Sequence, residues 1–205
     1  MNYYFDFDNT LYETAKLTKK MKETIVDVIY DYIKIDKEEL FKYADENFNS
    51  TLDNIFSFAE KMANFYEVDS NEIMVRLDKV INNGKENVFE DVERFLKKLK
   101  DNGNKLYILT YVTKINQEYQ LKKIVGSKIA DYFDSIIVTT DLKYTLDLDY
   151  NKGVFIDDDP RDLTGLYSMN PIRLIRIRKP NNKRSKIDMD NKDIEEYTSF
   201  DDINI

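Results

Sequence analysis

The chain has 205 residues, 42% of them hydrophobic and 34% charged, with a formal net charge of -8. That length suits one domain with an insertion or two modest ones, and it can bury on the order of 70% of its unfolded surface without a disulfide or zinc staple. His and Cys are both absent, which excludes Ser-His-Asp triads, Cys nucleophiles, imidazole or thiolate zinc sites and thiol redox chemistry.

Residues 2–6 read as a short buried strand, because Tyr3, Tyr4 and Phe5 favour extended structure. It ends in the turn-forming run Asp6-Phe7-Asp8-Asn9-Thr10. From about 13 to 83 there is no Pro and no Gly. Met21, Ile25, Val28, Ile29, Tyr32 and Ile33 recur at helical spacing and predict one apolar face. Breaks near Asp36, Asn49-Ser50 and Asp69-Ser70 offer N-caps, and Ser50 with Asp53 resembles a capping box. The stretch therefore predicts four helices, closed by Gly84.

After Gly84 the period changes. A helix over 89–101 ends at Asn102-Gly103, a strand covers 105–110 and a helix 115–125 ends at Gly126. Strands are predicted over 134–139, 153–157 and 172–178, with a short helix over 162–169 between the last two and a polar loop over 179–191. Apolar runs separated by helices mark parallel strands covered on both faces. The fold class expected is α/β: a Rossmann-like parallel sheet with helices on both faces, over 1–14 and 85–205, plus an inserted all-helical block over 15–84.

Five Gly residues with no shared Gly-rich turn leave neither a Walker loop nor a dinucleotide fingerprint. The acidic balance argues against nucleic acid as the main partner. No segment approaches the ~20 apolar residues of a membrane span, and the N-terminus lacks a signal-peptide pattern. A cytoplasmic protein is expected, with no obligate protein partner.

Ligands of open α/β sheets bind beyond the carboxyl ends of the strands. Asp6, Asp8 and Thr10 follow the first strand, Thr110 ends the second, and Thr139, Thr140, Asp141 and Lys143 follow the third. Asp157, Asp158, Asp159 and Asp162 follow the fourth. Carboxylates gathered at one edge repel unless a cation lies between them, and a hard divalent ion with oxygen ligands answers that need. Asp6 and Asp158 are the best ligand candidates. An EF-hand starting at Asp6 fails, because its Gly position is Leu11 and its closing Glu position is Leu17.

These residues resemble the haloacid dehalogenase-like superfamily. Its first motif, a strand followed by D-x-D-x-T, is matched by Phe5 to Leu11 (FDFDNTL). Its second, an apolar strand ending in a hydroxyl, is matched by Leu106 to Thr110 (LYILT). Its fourth, an apolar strand ending in acids, is matched by Gly153 to Asp162 (GVFIDDDPRD). The helical insertion looks like that family's cap domain. The resemblance implies a phosphatase in which Asp6 is the nucleophile that forms an aspartyl-phosphate, and Asp8 is the general acid and base. It implies Mg2+ held by Asp6, the carbonyl of Asp8 and Asp158, with Asp157 and Asp162 supporting them. Thr110 would bind the phosphoryl group, and Asn9, Thr10 and Tyr111 would complete substrate binding. A small phosphorylated metabolite is the expected substrate. A phosphotransferase or mutase acting on sugar phosphates, and a nucleotide or polynucleotide-end phosphatase, are the alternatives.

The family's third-motif Lys-Pro is missing, and Lys143 and Lys152 compete for its place. Lys152 precedes a strand of about five residues at ~3.3 Å each, so its backbone is roughly 16 Å from the acids; Lys143 is therefore preferred. Residues 172–186 hold Arg173, Arg176, Arg178, Lys179, Lys183, Arg184 and Lys186 and no acid, and read as a solvated edge strand and loop. Tyr12, Phe56, Phe58 and Tyr66 are aromatic candidates for pocket lining or for packing.

Overall fold

The computed structural model describes residues 1–48, 54–180 and 182–205. Strand β1 (Asn2–Phe5) is followed by helices α1 (Thr14–Ile33), α2 (Lys37–Asn47), α3 (Ile55–Phe65) and α4 (Ser70–Asn82). Then come α5 (Val92–Asp101), β2 (Lys105–Tyr111), α6 (Gln117–Gly126) and β3 (Ser135–Thr139). The chain ends with β4 (Gly153–Asp157), α7 (Pro160–Tyr167), β5 (Arg173–Ile177) and β6 (Glu195–Tyr197).

The strands form one six-stranded sheet in the order β3-β2-β1-β4-β5-β6, and every pairing is parallel. The chain runs outward from β1 to β3, then returns to lay β4 on the other side of β1. A crevice forms outside the carboxyl ends where the order reverses, here between β1 and β4. Phe5 pairs with Ile156, and the Asp6 N–H donates to the Ile156 carbonyl at 2.9 Å.

Alternate residues of β1 face opposite sides. Tyr4 stacks on Phe155 and Tyr107 and belongs to a buried cluster with Leu163 and Leu166 of α7. Phe5 meets Phe95 of α5 edge-on, and also Phe133 and Phe200. Helices α5 and α7 therefore cover opposite faces, and apolar side chains on both sides of β1 bury it from water.

Two compact units are present. One comprises 1–13, 88–112 and 128–205; the other comprises 14–87 and 113–127 and is helical. The helical unit includes α6 besides the four helices of the 15–84 block. Helices α4 and α6 approach closely: a Cβ on Gly126 would lie 2.0 Å from the Ile81 carbonyl oxygen. Asp36 and Asp69 cap α2 and α4, accepting from backbone N–H groups of the first turns. Asn54 caps α3. The expected break at Asn49-Ser50 lies outside the described residues. Of the predicted α1 stripe, Met21, Ile25, Val28 and Ile29 are buried, but Tyr32 is exposed and its hydroxyl donates to Glu72.

The reading of 172–178 as a solvated edge strand is overturned. The edge beyond it is β6, a three-residue strand whose sequence Glu-Glu-Tyr carries no apolar signal. Its acids absorb the basic run: Arg173 pairs with Glu195, and Arg176, fully buried, pairs with Glu196 at 2.7 Å. Lys179 is buried against Asp91. Such pairing is what permits charged groups inside a fold.

Candidate active site

The turn after β1 sets the first half of the site. The Phe7 carbonyl accepts from the N–H groups of Leu11 and Tyr12, and the Phe7 ring stacks on Tyr12 at 5.0 Å. Asn9 has φ 61°, a left-handed conformation that Asn tolerates better than most residues. With Phe7 locked in the core, Asp6 and Asp8 are both left on the wall of a cavity of about 470 Å3. Asn9, Thr110, Tyr111, Lys143 and Asp162 line the same cavity. Thr10 does not; it is fully buried, and its hydroxyl has no hydrogen-bond partner among the described residues.

The second half comes from β4 and the start of α7. Asp157 and Asp158 are buried, and carboxylate oxygens of Asp6, Asp157 and Asp158 all lie within 4.8 Å of one another. Asp159 caps α7 by accepting from the Arg161 N–H, and Pro160 occupies the first helical turn.

Lys143 ties the halves together. Its ammonium donates to Asp6 at 2.7 Å and to Asp157 at 2.6 Å, and lies 3.1 Å from Asp162. It sits on a short 3-10 turn held from both sides. The Tyr150 hydroxyl donates to the Lys143 carbonyl at 2.6 Å. The Tyr144 ring lies over Gly165 of α7, where a Cβ would come within 2.1 Å of it. Lys152, by contrast, is exposed and pairs with Asp149.

Burial pushes the Asp6 carboxyl well above the usual carboxylate range; Lys143 opposes this, while Asp157, Asp158 and Asp8 add to it. Burial likewise raises Asp157, against Lys143. Asp158 is pushed up to about 7 by burial and by Asp157. Burial alone would lower Lys143, but Asp157, Asp6 and Asp162 together hold it well above an ordinary lysine. The Lys143 ammonium and the Arg184 guanidinium, 3.4 Å from Asp158, thus serve the carboxyls of Asp6, Asp157, Asp158 and Asp162. Oxygen donors so gathered suit a hard divalent cation. Asp157 already accepts from Lys143 on one oxygen and from the Asp159 N–H on the other. Asp158 is engaged on both oxygens as well, by Asn182 at Oδ2 and by Arg184 3.4 Å from Oδ1, whereas Asp6 is bonded to Lys143 through Oδ1.

Sequence reasoning missed three polar residues here. Arg161 makes two bonds to Asp159, Arg184 lies 3.4 Å from Asp158, and Asn182 donates to Asp158. Arg161 and Arg184 line the cavity, with Leu142 and Tyr144. Arg184 and Asn182 belong to a loop more than twenty residues beyond β4; Arg184 falls in the basic run that read as solvated, and no local pattern marks Asn182. Of the aromatic candidates, Tyr12 is fully buried beside Phe7 and Phe58 is buried, while Phe56 meets Tyr119 edge-on and Tyr66 packs on Phe65. Among the described residues, no helix is long and apolar enough to cross a membrane.

The sequence matches the haloacid dehalogenase-like hydrolase family over residues 3–165. Among solved structures it is similar to a HAD phosphatase from Thermococcus onnurineus, with 19% identity, coverage of 98% of this chain and 94% of that one, and a TM-score of 0.62. It is similar to CbbY from Rhodobacter sphaeroides, solved in complex with phosphate, at 16% identity, 98% and 95% coverage and a TM-score of 0.54. YfnB from Bacillus subtilis, solved bound to magnesium, has 14% identity, 98% and 95% coverage and a TM-score of 0.54. No curated protein matches the sequence significantly.

Proposed function

This chain belongs to the haloacid dehalogenase-like hydrolases, and from that premise we propose that it is a Mg2+-dependent phosphatase of small phosphomonoesters. The observation that carries the reading is the meeting of Asp6, Asp158 and Lys143 at the crevice between β1 and β4. A second Asp two residues after the first favours phosphate chemistry over dehalogenation, because the family's dehalogenases lack it. The magnesium bound to one structural neighbour and the phosphate bound to another add support.

In this reading an Asp6 oxygen attacks phosphorus, and the bond from phosphorus to the leaving oxygen breaks. Asp8 gives that oxygen its proton. Asp8 then takes a proton from the water that attacks the aspartyl-phosphate, which returns Asp6 and releases inorganic phosphate. Lys143 favours the ionised form of Asp6 against burial and offsets charge on the phosphoryl oxygens, while Thr110, buried at the end of β2, orients them. Mg2+, held by Asp6, the Asp8 carbonyl and Asp158, would supply charge neutralisation and a fixed orientation for the phosphate. The helical unit takes the part of the family's cap, and the substrate is a small phosphorylated metabolite in the cytosol.

Purified protein should release phosphate from p-nitrophenyl phosphate with Mg2+, lose that activity to a chelator and recover it on adding Mg2+ back. Asp6→Asn should abolish turnover. Full activity in Asp6→Asn, or turnover indifferent to chelation, would refute the reading.

A further inference from the structure

The connection from β5 to β6 sends two residues to the acid cluster, and no step of the proposed reaction uses them. Asn182 is 9% exposed. Its Oδ1 accepts from the Arg184 N–H at 3.0 Å, so its Nδ2 is the end that faces Asp158, and it donates to Asp158 Oδ2. The Arg184 guanidinium lies 3.4 Å from Asp158 Oδ1 and 3.3 Å from Asp159 Oδ2. These two residues thus address the two oxygens of one carboxylate separately.

The loop that carries them is anchored by other residues. The Ser185 hydroxyl donates to the Lys179 carbonyl at 2.6 Å, and Arg178 donates to the Ser185 carbonyl at 2.6 and 3.0 Å. Buried Arg176 donates to the Arg184 carbonyl at 2.7 Å. Asn182 and Arg184 are therefore presented to Asp158 from a base that does not itself touch it.

We propose that Asn182 is a positioning residue for Asp158 as a divalent-cation ligand, and that Arg184 is the counter-ion that occupies the other oxygen of that carboxylate until the cation arrives. The inference rests on the Mg2+ reading above. A carboxylate that gives one oxygen to a metal is oriented by a hydrogen bond to its other oxygen, and losing such a partner costs about 10- to 100-fold in metal affinity. Asn182 makes that bond to Oδ2, which would leave Oδ1 for a cation. Arg184 stands against Oδ1 as a like charge to the incoming cation, and removing it strengthens binding by roughly tenfold. The two substitutions thus act in opposite directions, whereas loosening of the loop moves both the same way.

The test is Mn2+ binding to the full chain, followed by electron paramagnetic resonance, with Mg2+ binding by calorimetry. Wild type is compared with Asn182→Ala, Arg184→Gln and Ser185→Ala; the last breaks the loop's bond to Lys179 without touching Asp158. The expected result is a Kd raised about 10- to 100-fold in Asn182→Ala, lowered about tenfold in Arg184→Gln and unchanged in Ser185→Ala. Unchanged binding in Asn182→Ala overturns the proposal, as does weaker or unchanged binding in Arg184→Gln, or a loss in Ser185→Ala equal to that in Asn182→Ala. If Asn182→Ala fails to fold, Arg184→Gln decides alone by the same criterion. A wild-type protein that binds neither ion refutes the metal reading itself, and this inference with it.

Discussion

Lys143→Met removes the ammonium at the centre of the site while keeping most of the aliphatic stem. In the wild-type protein that ammonium, on a side chain 3% exposed, is 2.7 Å from Asp6, 2.6 Å from Asp157 and 3.1 Å from Asp162. Removing one partner of a buried ion pair costs about 3–5 kcal/mol, because the remaining charge is left unpaired in a poor solvent. Asp157 keeps the Asp159 N–H, which places the expected loss near the lower figure. The loss depends on pH in a definite sense. Asp6 and Asp157 already have raised pKa values for which burial is the main cause, and Lys143 is the group that opposes it. Without Lys143 the folded state binds a proton more tightly still, so stability falls further as pH rises. Urea unfolding in chelator should show a deficit of about 3 kcal/mol at pH 8 and a clearly smaller one at pH 5. Turnover of p-nitrophenyl phosphate should fall on the order of a hundredfold or more. Lys152→Met, which removes an exposed, solvent-screened pair with Asp149, should leave stability and activity as in wild type. Equal deficits at the two pH values, or Lys152→Met matching Lys143→Met, would refute the reasoning.

In chelator Asp158, pushed up to about 7, binds its proton more tightly folded than unfolded, so its contribution to stability falls between about pH 4 and pH 7. Mg2+ should therefore raise Tm more at pH 8 than at pH 5 in differential scanning fluorimetry; an equal rise at both would count against the buried carboxylate pair as the ligand. Burial raises Asp91, but hydrogen bonds from Lys179, the Phe200 N–H and the Ser199 hydroxyl outweigh it and hold the carboxyl below its usual value. That stabilisation is present above about pH 4 and is lost as pH falls through the folded value. Asp91→Asn should accordingly cost about 2–4 kcal/mol at pH 7 and progressively less as pH falls below about 4 by urea unfolding, and a pH-independent cost would contradict it. Gly165→Ala puts a Cβ 2.1 Å from the Tyr144 ring. It should lose about 1–3 kcal/mol of stability and lower turnover by shifting the Lys143 turn, and an unperturbed variant would show that the ring is not held there.

The site residues differed in how visible they were. Asp6 and Asp8 follow β1, Thr110 lies one residue before the end of β2, Asp157 ends β4 and Asp158 follows it, so their positions at the carboxyl ends of strands brought them to one edge. Lys143 stood out over Lys152 by a distance argument, and it is the lysine that pairs with Asp6. Strand β6 was not visible, because three residues with two acids have no apolar period to read. Without β6 the basic run looked solvated, although Arg176 is fully buried against Glu196.

Local periodicity, strand-terminal acids and the absence of His and Cys were sufficient to define a parallel α/β protein with oxygen-based chemistry, because each depends only on neighbours in the chain. The partnerships of charge were decided by the tertiary structure. Asn182 and Arg184 reach Asp158, and Lys179 reaches Asp91, across 24, 26 and 88 residues of chain. Pairing of buried charges depends on which groups are left together once water is excluded, and only the folded chain determines that.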